Sequence, residues 1–322
     1  MNRDIPKFLF KTILFLLPLV IVFGYVEWQL RGMKTTYTIK KRDFEKQLDS
    51  VEILVLGSSH ALYGIDPAQF SWRGYNLSNS SQTLYYDARL TEKYLSRLPL
   101  VKSVIIPVSY FSLWYRLEDT KDAWRMYFYK KFWDIGNSEI RVTDSENFSY
   151  TMLYSPKIAF HYWQRGFQDT NVTGTLNYNG WIPAKPHEVN QLTDSLARIR
   201  VESHDFVHFE NRLNDNMRDL ERLVIVLKKR NIDPVLITTP VSELYARYAD
   251  QEVVTKNENL LKNLAKRFNL QYFNYFSDTR FSLSDFNDND HLNPQGAIKF
   301  SKILDEEALS KHYGNSRRFK KN

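Results

Sequence analysis

The chain has 322 residues, 43% apolar and 15% aromatic, with 20 Tyr, 21 Phe and 7 Trp, which supplies a large buried core and excludes a disordered composition. It has no cysteine, so disulfides, thiolate catalysis and Cys-ligated metals are excluded. The formal charge of +7 is scattered apart from Lys40-Lys41-Arg42 and the tail Arg317-Arg318-Phe319-Lys320-Lys321, and no nucleic-acid motif accompanies it, which argues against a nucleic-acid partner.

In chain order, residues 1–7 form a short leader and 8–27 a transmembrane anchor. Phe8 to Val26 is a 19-residue apolar run broken only by Lys11, close to the ~20 residues a helix needs to cross ~30 Å of hydrocarbon. Lys11 lies one turn inside and can snorkel to the headgroups, while Tyr25 and Trp28 fall where an interfacial aromatic belt is expected. The run is longer than the apolar core of a signal peptide and closes on Gly-Tyr-Val-Glu-Trp, with no small-residue cleavage site. Positive charge is nearly balanced across the span. The brevity of the leader leaves it on the cytoplasmic side, so a single-pass protein with its bulk outside the cytoplasm is expected.

Residues 28–48 read as a linker and 49–312 as one domain. Val51–Leu56 is a short apolar run closed by Gly57, a buried strand. Thr83–Arg97 has helical spacing, and Ser103–Val108 is a second strand. Residues from about 110 to 210 form an aromatic-rich insertion without a clean period. After it come an amphipathic helix (Arg212–Arg230), a strand (Pro234–Thr239), a helix (Thr255–Phe268), a strand (Leu270–Phe276) and a last helix (Gln295–Leu309). Asn293 and Pro294 fit the cap and first turn of that last helix. Residues 313–322 are a basic tail. Strands alternating with helices predict an α/β fold with a central parallel sheet covered on both faces.

Two blocks carry chemistry. Gly57-Ser58-Ser59-His60 follows the first strand, and open parallel sheets bind ligands beyond the carboxyl ends of their strands. Asp288-Asn289-Asp290-His291 precedes the last helix. A carboxylate three residues before a loop His can fold back onto one ring nitrogen and leave the other to accept a serine proton. Neither motif is specific alone: Gly-x-Ser recurs at Gly136–Ser138 and Gly314–Ser316, and Asp-x-x-His at Asp205–His208. Position at a strand end and before a terminal helix singles out Ser59 as nucleophile and His291 as base. Asp288 is favoured over the adjacent Asp290 as orienter.

The combination resembles the SGNH (GDSL-like) hydrolase superfamily, which carries its nucleophile in a Gly-Asp-Ser block after the first strand and Asp-x-x-His before the last helix. Gly57-Ser58-Ser59 and Asp288-x-x-His291 match those blocks over roughly residues 50–310. Tyr75-Asn76-Leu77-Ser78 and Asp290–Ala297 are similar to anchored envelope members such as the D-alanine transfer protein of teichoic acids and the alginate O-acetyltransferases. The resemblance implies a three-layer flavodoxin-like fold and an esterase or O-acyltransferase working through an acyl-serine. It implies an acyl donor and a glycan acceptor, or an acylated glycan, as partners, with no cofactor and no metal. Two departures concern the oxyanion site. Asn79-Ser80-Ser81-Gln82 stands where the family has a glycine, and Ser109 aligns with its asparagine. Asn79, Ser81, Ser109 and His60 are the candidate substitutes, since losing one donor costs ~3–4 kcal/mol.

Two other readings compete. His204 and His208, with Asp205 and Glu210, have the i, i+4 spacing of a helical metal site but not the His-Glu-x-x-His order. A catalytically degenerate domain that binds glycan or scaffolds an envelope complex fits the altered oxyanion blocks. Trp114, Tyr115, Trp124, Tyr127, Tyr129, Trp133, Trp163 and Trp181 in the insertion read either as a stacking platform for sugar rings or as ordinary core.

Overall fold

A computed structural model describes residues 4–167, 176–187, 191–205 and 210–309. The chain divides into two compact units, Met1–Thr35 with Trp124–Gly174, and Thr36–Ala123 with Thr175–Asn322.

The larger unit is built on five parallel strands: β1 (Ile53–Val55), β2 (Gly74–Asn76), β3 (Ser103–Pro107), β4 (Asp233–Thr238) and β5 (Gln271–Asn274). Their order is β2-β1-β3-β4-β5. This is the flavodoxin-like doubly wound order, with its switch point between β1 and β3. Successive strand residues alternate between faces. Ile53, Val55, Ile105, Val235 and Ile237 share one core cluster with Ala61, Leu292, Phe300 and Leu304. Leu54, Val104, Ile106 and Leu236 are equally buried and therefore face the other side. The helices Leu84–Tyr94 and Glu210–Lys228 pack against each other, and the second of them also packs on β4. Burial on both faces explains why β1, β3 and β4 read as continuous apolar runs, and each fully buried Ile or Leu contributes about 1.5–3 kcal/mol.

Several sequence boundaries shift. The segment read as a linker contains a helix, Thr36–Glu45, that buries Tyr37, Ile39, Lys40 and Phe44. Lys40 is fully buried, and its ammonium donates to the carbonyl oxygens of Asn76 (3.0 Å) and Ser78. Burial pushes its pKa well below the ordinary lysine value. Lys40 thereby ties this helix to the loop that leaves β2. The helix expected from Thr255 begins at Gln251, because Asp250 caps it by accepting from the amides of Glu252 (2.8 Å) and Val253 (3.4 Å). The last helix is regular from Pro294 to Leu304, and Asp305–Leu309 continues as a wider π-type turn. Its cap is the expected one: Asn293 accepts from the Gly296 amide at 2.9 Å.

The smaller unit contains a helix, Asp4–Arg31, of which Ile5–Arg31 is long and apolar enough to cross a membrane. With it are the helices Arg125–Trp133, Tyr150–Leu153 and Pro156–Gln164, all within the segment whose sequence shows no period. The basic tail 313–322 lies outside the described residues.

Candidate active site

β1 ends at Val55 and the chain turns through Leu56-Gly57-Ser58 into a short helix, Ser59–Gly64. Gly57 has φ +107°, and a Cβ there would sit 3.2 Å from three side-chain carbons of Pro107 at the end of β3. Only glycine fits this turn without strain. The Gly57 amide donates to Asp87 Oδ1 at 3.0 Å, and Gln82 Nε2 donates to the same oxygen at 2.6 Å. The turn thus presents Ser59, half-buried, at the carboxyl end of β1 beside the switch point.

The loop before the last helix closes on itself. Phe286 pairs with Leu292, and the amides of Asn287 and Asn293 donate to the carbonyls of His291 (2.8 Å) and Asp285 (3.0 Å). Inside it, Asp288 Oδ1 accepts from the amides of Asp290 (3.1 Å) and His291 (2.8 Å). Both Asp288 oxygens lie 3.0 Å from His291 Nδ1. His291 Nε2 lies 2.9 Å from Ser59 Oγ, joining residues 232 apart in sequence. Ser59, His291 and Asp288 therefore stand in the geometry of a nucleophile, its base and an orienting carboxylate.

Asp290 is turned elsewhere. It is fully buried, with Arg200 Nε and Nη2 donating to its two oxygens at 2.7 and 2.8 Å and His60 Nε2 at 2.9 Å. His204 Nε2 is 3.9 Å away, and His291 Nδ1 is 3.6 Å away. Burial opposes ionisation of Asp290, but these groups outweigh it and hold its carboxyl well below the usual range. Burial also lowers the His291 pKa, yet the charge of Asp290 and the bond to Asp288 prevail, so His291 titrates above its ordinary value.

His60 follows Ser59 but points inward. Burial pushes its pKa below the ordinary value, so the ring is neutral near pH 7. An ionised Asp290 can only accept, so His60 Nε2 carries the proton and Nδ1 accepts from the hydroxyl of Thr239 at 3.2 Å. Thr239 Oγ1 is 3.5 Å from Ser109 Oγ, and the Ser109 amide donates to Ser112 Oγ at 2.9 Å.

The other oxyanion candidates sit on the loop after β2. The Asn79 amide donates to Gly57 O at 3.2 Å, placing the residue against the turn that carries Ser59. Its Oδ1 accepts from the Ser80 amide (2.9 Å) and Thr36 Oγ1 (3.3 Å). Among the described residues, none engages its Nδ2. Ser81 adopts φ +57°, a left-handed conformation that costs glycine nothing, and its hydroxyl donates to Asp122 Oδ2 at 2.6 Å. In the opening turn of the helix Ser59–Gly64, the amides of Ala61 and Leu62 donate to Ser58 O. The Ser59 and His60 amides precede the first such bond.

Some neighbours escaped the sequence reading. Tyr63, one turn after Ser59, lies edge-on to the His291 ring at 5.3 Å, and Trp181 Nε1 donates to its carbonyl at 2.8 Å. The i, i+4 spacing from Ser59 was the available signal. His187 Nε2 is 3.7 Å from Asp288 Oδ2. Nothing in the sequence links Arg200 to the site. Trp114, Tyr115, Tyr129, Trp133 and Trp181 are buried, so their faces are not open to a sugar, whereas Trp124 and Trp163 are exposed.

For the metal reading, His204 is buried with Nδ1 2.8 Å from the Tyr245 hydroxyl, and His208 lies outside the described residues. His60, Asp290 and His291 bring donor atoms within 4.8 Å of one another. Their lone pairs are already committed, Asp290 to Arg200 and His60, and His291 Nε2 to Ser59.

No protein-family model matches the chain, and no curated protein does. Among solved structures it is similar to a "putative acylhydrolase" from Bacteroides fragilis NCTC 9343, at 12% identity and TM-score 0.42 over 86% of this chain and 98% of that one. It is also similar to a GDSL-like lipase from Bacteroides thetaiotaomicron VPI-5482, at 11% identity and TM-score 0.41 over 85% and 98%. These are likenesses of general outline.

Proposed function

We propose that the chain is a membrane-anchored serine esterase or O-acyltransferase of the SGNH (GDSL-like) type, acting through an acyl-Ser59 intermediate. The observation that carries the reading is the Ser59–His291–Asp288 chain, with bonds of 2.9 and 3.0 Å. His291 Nε2 takes the Ser59 proton as Oγ attacks an ester carbonyl, and the same proton is returned to the departing alkoxide. Asp288 holds Nδ1–H and stabilises the imidazolium, while the Ser59 amide and Asn79 Nδ2 supply donors to the developing oxyanion. Deacylation repeats the steps with water in an esterase or a sugar hydroxyl in a transferase.

The apolar helix Asp4–Arg31 supports anchoring. Resemblance to anchored envelope members makes an acylated cell-envelope polysaccharide, or a polysaccharide acceptor, our proposed substrate. The assembled triad speaks against the degenerate-scaffold alternative, because each bond that activates Ser59 is present.

A fluorophosphonate probe on the full chain in lipid nanodiscs tests the proposal. Labelling of the wild type and none of Ser59→Ala is the expected result. No labelling of either, or equal labelling of both, overturns it.

A further inference from the structure

The smaller unit exposes apolar side chains that are not part of the long apolar helix. In the helix Pro156–Gln164, Ala159 is buried and holds the segment to its own unit, where it touches the helices Asp4–Arg31 and Tyr150–Leu153. Pro156, Phe160 and Trp163, four and three residues apart, form one stripe. Phe160 is 55% and Trp163 50% exposed, and their rings stack at 5.5 Å. Lys157, His161 and Gln164 repeat the same spacing as a separate exposed polar stripe.

The segments on either side of this helix are tied to Asp4–Arg31 by three contacts. Glu27, just past the apolar run, accepts from Ser149 Oγ (2.5 Å) and from the amides of Tyr150 (2.7 Å) and Thr151 (2.9 Å). The Arg31 guanidinium lies over the Tyr150 ring at 5.5 Å. Phe167, just beyond the short helix, meets Tyr25 edge-on at 6.1 Å. Tyr25 belongs to the last turn of the apolar run, so on the anchor reading Phe167, four residues beyond Trp163, marks the level where hydrocarbon gives way to headgroups. That is the depth at which Trp and aromatic belts are stable.

We propose that the stripe Pro156–Phe160–Trp163 is a second membrane contact: a short interfacial helix seated in the leaflet from which the anchor emerges, with Lys157, His161 and Gln164 toward water. The inference rests on the anchor reading. Its occupant is the lipid of the same bilayer, argued from continuity with the apolar helix and from the clamp at Glu27.

The absence of cysteine makes the test direct. Val20→Cys, Phe160→Cys and Gln164→Cys are each spin-labelled in the full chain in phosphatidylcholine/phosphatidylglycerol nanodiscs. Collision with oxygen, which partitions into lipid, is compared with collision with an aqueous nickel chelate. The expected result is oxygen-dominated relaxation at 20 and 160 and nickel-dominated relaxation at 164. Oxygen dominance at 20 with nickel dominance at 160 overturns this inference and leaves the anchor standing. Shielding of 160 from both reagents shows a second copy or protein partner on the stripe and also overturns it. Nickel dominance at 20 overturns the anchor reading and this inference with it.

Discussion

Asp290 is the sequence neighbour of His291, yet its carboxylate belongs to Arg200, which holds both oxygens at 2.7 and 2.8 Å. The two carboxylates of one short loop therefore have separate partners. Asp288 touches Nδ1 of His291 at 3.0 Å, while Asp290 stands 3.6 Å from the same nitrogen.

The first consequence concerns Asp288→Asn. The variant keeps an oxygen for the loop amides but no longer holds the Nδ1–H tautomer. Its kcat on an activated ester should fall about 10⁴-fold with the melting temperature little changed. Full activity in this variant, or an equal loss confined to Asp290→Asn, would reverse the roles given to the two residues.

A pH profile separates the field from the bond. The base must be neutral to act, and its pKa is raised, so activity rises through a midpoint above the ordinary histidine value of 6.5. Asp290→Asn removes a nearby negative charge and should move that midpoint down; Arg200→Gln removes a positive one and should move it up. Arg200→Gln leaves the buried Asp290 uncompensated at a cost of about 3–5 kcal/mol, whereas Asp290→Asn leaves a partly exposed Arg200; kcat is therefore normalised to the folded fraction in both. Shifts in the same direction would refute the electrostatic role.

The carboxyl of Asp87 is raised to about 7, first by burial and against its bonds from Gln82 and Gly57. Unfolded, it titrates near 3.8, so between about 4 and 7 the folded chain holds more protons and stability falls as pH rises. The full cost above that window reaches up to ~4 kcal/mol. Asp87→Asn keeps an acceptor for the Gly57 amide and escapes this cost. Its melting temperature relative to wild type should climb from pH 5 to pH 8, and a difference independent of pH counts against the argument.

Gly57→Ala places a methyl 3.2 Å from Pro107 in a backbone at φ +107°. About 1–3 kcal/mol of stability should be lost to backbone strain, and displacement of the adjacent Ser59 should lower kcat by ~10²-fold. Thermal unfolding and ester turnover measure both. A variant with wild-type kcat would show that the turn does not set the nucleophile.

If Asn79 Nδ2 serves the oxyanion, Asn79→Ala should lower kcat by ~10²–10³-fold while KM stays near the wild-type value. A drop within about twofold leaves the Ser59 amide as the donor and removes Asn79.

What the sequence revealed follows from locality. Ser59, Asp288 and His291 were readable because each stands at an element boundary that apolar periodicity or a cap marks, and because Asp288 reaches His291 within three residues. β2 was not read as a strand, since Gly74–Asn76 is three residues long with one apolar side chain. The helix Thr36–Glu45 hides its packing behind Lys40-Lys41-Arg42, where Lys40 is buried by bonds to carbonyls far along the chain. Arg200 was invisible for a similar reason: its bond to Asp290 spans 90 residues from a segment with no periodic pattern.

The 232-residue separation of Ser59 and His291 also has a consequence in time. At ~5–20 residues per second, the ribosome releases the serine roughly 10–50 s before the histidine that would activate it. Through that interval Ser59 is an ordinary hydroxyl. On the proposed mechanism, a nascent chain stalled before residue 288 carries neither base nor orienter, so such a copy cannot form acyl-Ser59.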